Sequence, residues 1–180
     1  LQKRSNLIAS ADVITTQELL DFAEVAGPHI AALKTHIDII SDFDYDKTII
    51  PLIDIATKHN FLLMEDRKFG DIGNTQELQF SHGVYKIANW ADMVTAHAIG
   101  GSKALEGFHN AGIITILGMS SQGTLTDAHY REEAMKIIIN EPNVMGCVAQ
   151  NQIQDDLLLF TPGVNISAEG DSKGQQYNTP

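Results

Sequence analysis

The chain has 180 residues, 43% of them apolar and 19% charged, which is enough for one soluble globular domain with a substantial core. Twelve basic against 23 acidic residues give a net charge of -11, which argues against a broad basic face for nucleic acid; an anionic substrate would have to be held by a few local cations and backbone amides. The single cysteine, Cys147, cannot form an internal disulfide and fits a reducing, cytoplasmic compartment, and no apolar run approaches membrane-spanning length.

In chain order, residues 6–12 read as a strand ending in Ser10-Ala11-Asp12. Thr15 and Thr16 are candidate caps for a helix through about Val25, with Glu18 in its first turn and Gly27-Pro28 as its stop. Residues 29–34 form the second predicted strand, which runs into Lys34-Thr35-His36 and then an acidic loop. Residues 48–59 have helical spacing, with Pro51 in the first turn. The third strand covers 61–65, and its apolar run ends abruptly in Glu65-Asp66-Arg67-Lys68-Phe69-Gly70-Asp71. A helix over 76–89, a strand over 93–97, a short helix over 103–110 and a strand over 113–119 follow. The small polar loop Ser120-Ser121-Gln122-Gly123-Thr124 has the composition of a mobile lid. A helix over 127–140 and strands over 144–149 and 157–160 come next, and a glycine-rich polar stretch runs to Pro180. Asn165-Ile166-Ser167 matches a glycosylation sequon, but the opening residues carry no secretion signal to give it meaning.

Seven strands alternating with helices imply a parallel sheet with helices outside. The expectation is an α/β fold, a (β/α)8 TIM barrel, with residues 1–180 forming a single domain that lacks the eighth βα unit at its C-terminal end. The chain is shorter than the roughly 200 residues at which such barrels begin.

In a parallel barrel all strand C-termini open on one face. That face gathers Ser10, Asp12, Lys34, Asp66, Lys68 and Asp71. Asp66 and Lys68 are two apart, so an extended chain points them to one side. Two lysines alternating with carboxylates need mutual neutralisation to survive desolvation. The carboxylates would keep Lys68 protonated, suited to stabilise and then protonate a carbanion. Taken alone, the same D-x-K-x-x-D pattern also describes a solvated loop with a surface ion pair. His36 and His97 make no recognisable metal pattern, and H-E-x-x-H and G-x-x-x-x-G-K are absent.

The run from Glu65 to Thr75 resembles the signature of the orotidine 5'-phosphate decarboxylase family. Ser10-Ala11-Asp12, Leu33-Lys34-Thr35-His36, Met119-Ser120-Ser121, Phe160-Thr161-Pro162-Gly163 and Gly174-Gln175-Gln176-Tyr177 fall in the family's order. The likeness covers nearly all of the chain and is greatest to the branch that includes the decarboxylase domain of UMP synthase. It implies cofactor-independent decarboxylation of orotidine 5'-phosphate to UMP in pyrimidine biosynthesis, with no metal. Lys68 would protonate C6, with Asp66 beside the substrate carboxylate. Lys34 and Asp12 would meet the ribose hydroxyls, and Ser120 the pyrimidine edge. Gln175 and Tyr177 would close over the phosphate, with Ser10 and Pro162 among the binding residues. Asp71 and Thr75 would reach a neighbouring subunit's site, making the active unit a homodimer.

The family's phosphate arginine belongs to a Gly-Arg-Gly segment after the eighth strand, and residues 1–180 contain none. Missing residues are therefore expected; a molecule ending at Pro180 would have a half-built phosphate site and little activity. Two alternatives stand beside the decarboxylase. One is a non-catalytic nucleotide-binding barrel. The other is a magnesium-dependent sugar-phosphate lyase of the same suprafamily, against which Lys34 stands where an acidic metal ligand is expected.

Overall fold

A computed structural model describes residues 3–150 and 157–166. Seven strands form one parallel sheet in sequential order: β1 (Ile8–Ala11), β2 (Ala32–Thr35), β3 (Leu62–Phe69), β4 (Met93–Ala96), β5 (Gly112–Ile116), β6 (Val144–Val148) and β7 (Leu158–Phe160). The helices between them are α1 (Thr16–Ala26), α2 (Ile50–His59), α3 (Gly73–Ser81), α4 (Ser102–Leu105) and α5 (Ala128–Ile138). This is the α/β barrel architecture expected from the strand–helix alternation, with seven strands among the described residues.

Two apolar layers explain its shape. Residues two apart on a strand share a face. On the concave face Ala32, Met64, Met93 and Ile114 form one cluster, joined by Ile8, Val148 and Phe160. Each strand contributes one of these seven residues, so the sheet is curled enough for side chains from its first and last strands to share a core. The other face carries Leu33, Leu63, Val94, Ile113 and Cys147, which pack against the helices in the larger cluster. Strands covered on both faces need nearly continuous apolar runs, as these have.

Several boundaries differ from expectation for identifiable reasons. The strand predicted over 29–34 starts later, at Ala32, because Gly27–His29 forms a 3₁₀ turn around Pro28. The helix predicted over 76–89 runs instead from Gly73 to Ser81. Lys86 adopts a left-handed φ of 45°, which no right-handed helix can include. The helix predicted over 103–110 closes at Leu105, and the strand predicted over 113–119 ends at Ile116. Thr15 caps α1 with Glu18 completing a capping box. The largest departure is in β3, which does not stop at Glu65 but continues through the charged run to Phe69.

Candidate active site

β3 carries its charges to the sheet's C-terminal end by breaking register. It pairs with β4 at Met64↔Met93 and Glu65↔Val94, then resumes only at Phe69↔Ala96. Within this bulge Lys68 has φ 50°, a left-handed conformation uncommon for a residue with a side chain. Phe69 anchors the far side of the bulge, packed between Phe80 and Phe108 in the helix layer. The Lys68 amide donates to the Thr95 hydroxyl (2.9 Å), which in turn donates to Asp66 Oδ1 (2.8 Å).

Asp66 is the centre of the cluster. Its Oδ2 accepts from Lys68 Nζ at 2.7 Å and lies 3.1 Å from Lys34 Nζ. Burial pushes this carboxyl up, but the two ammoniums and the bonds from Lys68 and Thr95 outweigh it and bring the pKa down to about 2. Asp66 is therefore ionised at neutral pH. Lys34 lies 3.9 Å from Asp12, which is largely exposed. The Lys68 side chain is 36% exposed, against 18% for Lys34 and 10% for Asp66, so Lys68 is the most accessible member of the triplet. A cleft of about 210 Å³ beside it is lined by Arg67, Lys68, Gly70, Asp71 and Gln79.

His36 Nε2 sits 3.0 Å from Lys34 Nζ. Burial first, and the Lys34 ammonium second, lower its pKa, so the ring is neutral at physiological pH and Nε2 accepts from Lys34. Glu65 points the other way, beneath the loop that follows β2. It is fully buried, and its carboxyl is bonded by the Thr35 hydroxyl (2.6 Å) and the Ile37 amide (3.1 Å). Burial raises its pKa to about 8 despite those bonds.

The structure thus brings together Asp12, Lys34, Asp66 and Lys68. Ser10 is in register with Lys34 on the neighbouring strand and is exposed. Asp71 is not part of this cluster. Its carboxylate accepts from the Ile72 amide and Gln79, and among the described residues it pairs with no lysine. Thr75 lies on α3 and is half-buried; Ser120 is buried in the loop after β5, where the Met119 amide donates to Thr126. Pro162 follows β7, and Gln175 and Tyr177 lie outside the described residues.

Sequence reasoning missed Thr95, the contact between His36 and Lys34, and the burial of Glu65. Thr95 had a usable signal: it is the one polar side chain of β4, between Val94 and Ala96. Gln76 was also missed. Its buried amide accepts from the Asp71 N–H (3.1 Å) and donates to the Ala104 carbonyl (2.6 Å), fixing the Asp71 turn to α4.

Among the described residues no group of three or more His, Cys, Asp or Glu side chains is placed to hold a metal ion. None of their helices is long and apolar enough to cross a membrane.

The model of the orotidine 5'-phosphate decarboxylase / HUMPS family matches residues 5–180. The orotidine 5'-phosphate decarboxylase of Komagataella pastoris is 46% identical, over 99% of this chain and 73% of its own length. That of Candida boidinii is 43% identical, over 98% of this chain and 71% of its own. Among solved structures, the orotidine 5'-phosphate decarboxylase of Pyrococcus horikoshii OT3 superposes with a TM-score of 0.68 at 18% identity, covering 91% of this chain and 81% of its own. The Methanocaldococcus jannaschii orotidine 5'-monophosphate decarboxylase complexed with inhibitor BMP gives 0.59 at 21% identity, over 81% of this chain and 67% of its own. The two solved structures share the fold, and the family model together with the two yeast relatives establishes that the chain belongs to the orotidine 5'-phosphate decarboxylase / HUMPS family.

Proposed function

We propose that residues 1–180 form one barrel domain that decarboxylates orotidine 5'-phosphate to UMP in pyrimidine biosynthesis, without a cofactor. The observation that carries this reading is the Asp66 carboxylate held between two ammoniums, Lys68 at 2.7 Å and Lys34 at 3.1 Å. Family membership and the naming of the yeast relatives as orotidine 5'-phosphate decarboxylases support the choice of substrate.

In this mechanism the bond between C6 and the carboxylate carbon breaks, carbon dioxide leaves, and the electron pair stays on C6. Lys68 transfers an ammonium proton to that carbon and is reprotonated from solvent. A site that favours the carbanion over the ground-state carboxylate accelerates the reaction, and an ammonium aimed at C6 does this. Asp66 aims Lys68 through their 2.7 Å contact. Lys34 and Asp12 contact the ribose hydroxyls, and Ser120 the pyrimidine edge. Ser10, Pro162, Gln175 and Tyr177 complete substrate binding, the last two over the phosphate. Asp71 and Thr75 act across a homodimer interface, which fits the absence of any ion pair between Asp71 and a lysine of its own chain among the described residues. A cytoplasmic setting belongs to the same reading. Two ammoniums on one carboxylate repel a divalent cation, so the cluster's donor set suits an anion better than a metal.

The test is release of carbon dioxide from carboxyl-labelled orotidine 5'-phosphate by the purified protein, with and without chelator. Release that survives chelation supports the proposal. Loss on chelation, restored by magnesium, would favour the sugar-phosphate lyase reading. Tight UMP binding without release would favour a non-catalytic barrel.

A further inference from the structure

The hydroxyl of Thr95 has two partners of opposite character. It accepts from the Lys68 backbone N–H at 2.9 Å and donates to Asp66 Oδ1 at 2.8 Å. An ionised carboxylate can only accept and a backbone amide can only donate, so the atom between them must do both. A hydroxyl does this from a single oxygen. Threonine is also completely buried here, so no water competes for either bond.

The bond to Lys68 replaces a missing sheet bond. Pairing between β3 and β4 lapses after Glu65 and resumes only at Phe69, leaving the Lys68 amide without a ladder carbonyl. The same residue holds φ 50°, a conformation that must be imposed by its surroundings. Every other residue of β4 is apolar: Met93, Val94 and Ala96. A polar side chain at this one point of a fully buried strand has both of its bonds in the bulge that carries Lys68.

We propose that Thr95 is a positioning residue for the reaction: its hydroxyl sets the rotamer of Asp66 and the left-handed backbone of Lys68 together, so that carboxylate and ammonium are aimed as one unit. This rests on the decarboxylase reading above. The buried hydroxyl must also place its own proton on an acceptor, and the acceptor it uses is Asp66. The second bond, to Asp66, links it to the charged triplet. Valine has the same shape and neither bond, whereas serine keeps both and loses only a methyl.

The experiment compares Thr95→Val and Thr95→Ser with the unaltered protein in three measurements: kcat, the affinity for UMP, and the titration of the Asp66 carboxyl by carbon-13 NMR. Thr95→Val should lower kcat by roughly 10- to 100-fold, the scale of a small misplacement of reacting groups. It should leave UMP affinity within about threefold, because Lys34, the ribose contact nearest this bond, is also held by His36 and Asp12. The Asp66 carboxyl should titrate higher, having lost an accepted hydrogen bond. Thr95→Ser should restore kcat to within about threefold. Unaltered kcat or unaltered Asp66 titration in Thr95→Val would overturn the assignment. So would an equal loss in Thr95→Ser, or a parallel loss of UMP binding, since either would mark a merely structural role. If the unaltered protein released no carbon dioxide, the decarboxylase reading would fail, and the Asp66 titration alone would decide whether Thr95 sets that carboxylate.

Discussion

Replacing Asp66 with asparagine tests the charge cluster without disturbing its shape. At an effective dielectric of about 20, ammoniums at 2.7 and 3.1 Å attract a carboxylate by roughly 5–6 kcal/mol each, and burial takes back most of that gain. The net effect is carried by the pKa, which falls from 3.8 in the free group to about 2 in the folded protein. At 1.36 kcal/mol per tenfold, ionised Asp66 contributes about 2.5 kcal/mol to stability. The folded value is depressed, so the contribution is fully present above pH 3.8 and is lost as pH falls through about 2. Asp66→Asn should therefore be about 2–3 kcal/mol less stable at pH 7, a fall of roughly 1 M in the urea midpoint for a chain of this size. The gap should be the same at pH 5 and shrink to about half by pH 3. Equilibrium urea unfolding of both proteins at the three pH values measures it. An asparagine variant as stable as the parent at pH 7, or a gap that does not change down to pH 3, would refute the reasoning.

Glu65 has the opposite sign. Its folded pKa, about 8, lies above the free value of 4.5, so a stability penalty accumulates as pH rises through that window and is complete above 8. Glu65→Gln escapes the penalty, and its amide can donate to the Thr35 hydroxyl while that hydroxyl turns toward the Met64 carbonyl. The variant should gain on the parent from pH 5 to 8, by at most about 5 kcal/mol, and stay level above that; a stability difference independent of pH would contradict this. Gln76→Leu orphans the buried Ala104 carbonyl, at about 1–3 kcal/mol, and the part-buried Asp71 amide, at about 1 kcal/mol. Chemical unfolding should show a loss of about 2–4 kcal/mol, and a loss below about 0.5 kcal/mol would mean that the Asp71 turn is held by other contacts.

The strand–helix alternation was legible because buried parallel strands must be apolar on both faces, and five of the seven runs end close to where their apolar residues do. β3 was misjudged for the same reason. Its charges begin at Glu65, yet the strand continues to Phe69 because a bulge lets Lys68 stay with Asp66 while Phe69 still reaches the helix layer. No local pattern encodes that register shift, within which the Lys68 amide bonds Thr95 of the next strand. The spacing of Asp66 and Lys68 was readable, as was the placement of Lys34 at a neighbouring strand end. Glu65 was not. Alternation with Leu63 puts it on the helix side, but its setting among other charges disguised a fully buried carboxyl. Gln76 was hidden differently, since α3 is polar along most of its length and its inward face rests on Gln76 and Phe80. His36 could be placed near the cluster, but its neutral form follows from burial and from the Lys34 ammonium, which only geometry reveals.

The most direct measurement is made on Lys68→Ala, comparing single-turnover decarboxylation of orotidine 5'-phosphate with equilibrium binding of UMP. If Lys68 is the proton donor, its removal should abolish turnover and leave UMP affinity largely intact, because on this mechanism the amine acts on C6 only as carbon dioxide departs. Turnover retained in that variant would show that another group delivers the proton, and the account built on Lys68 would be wrong.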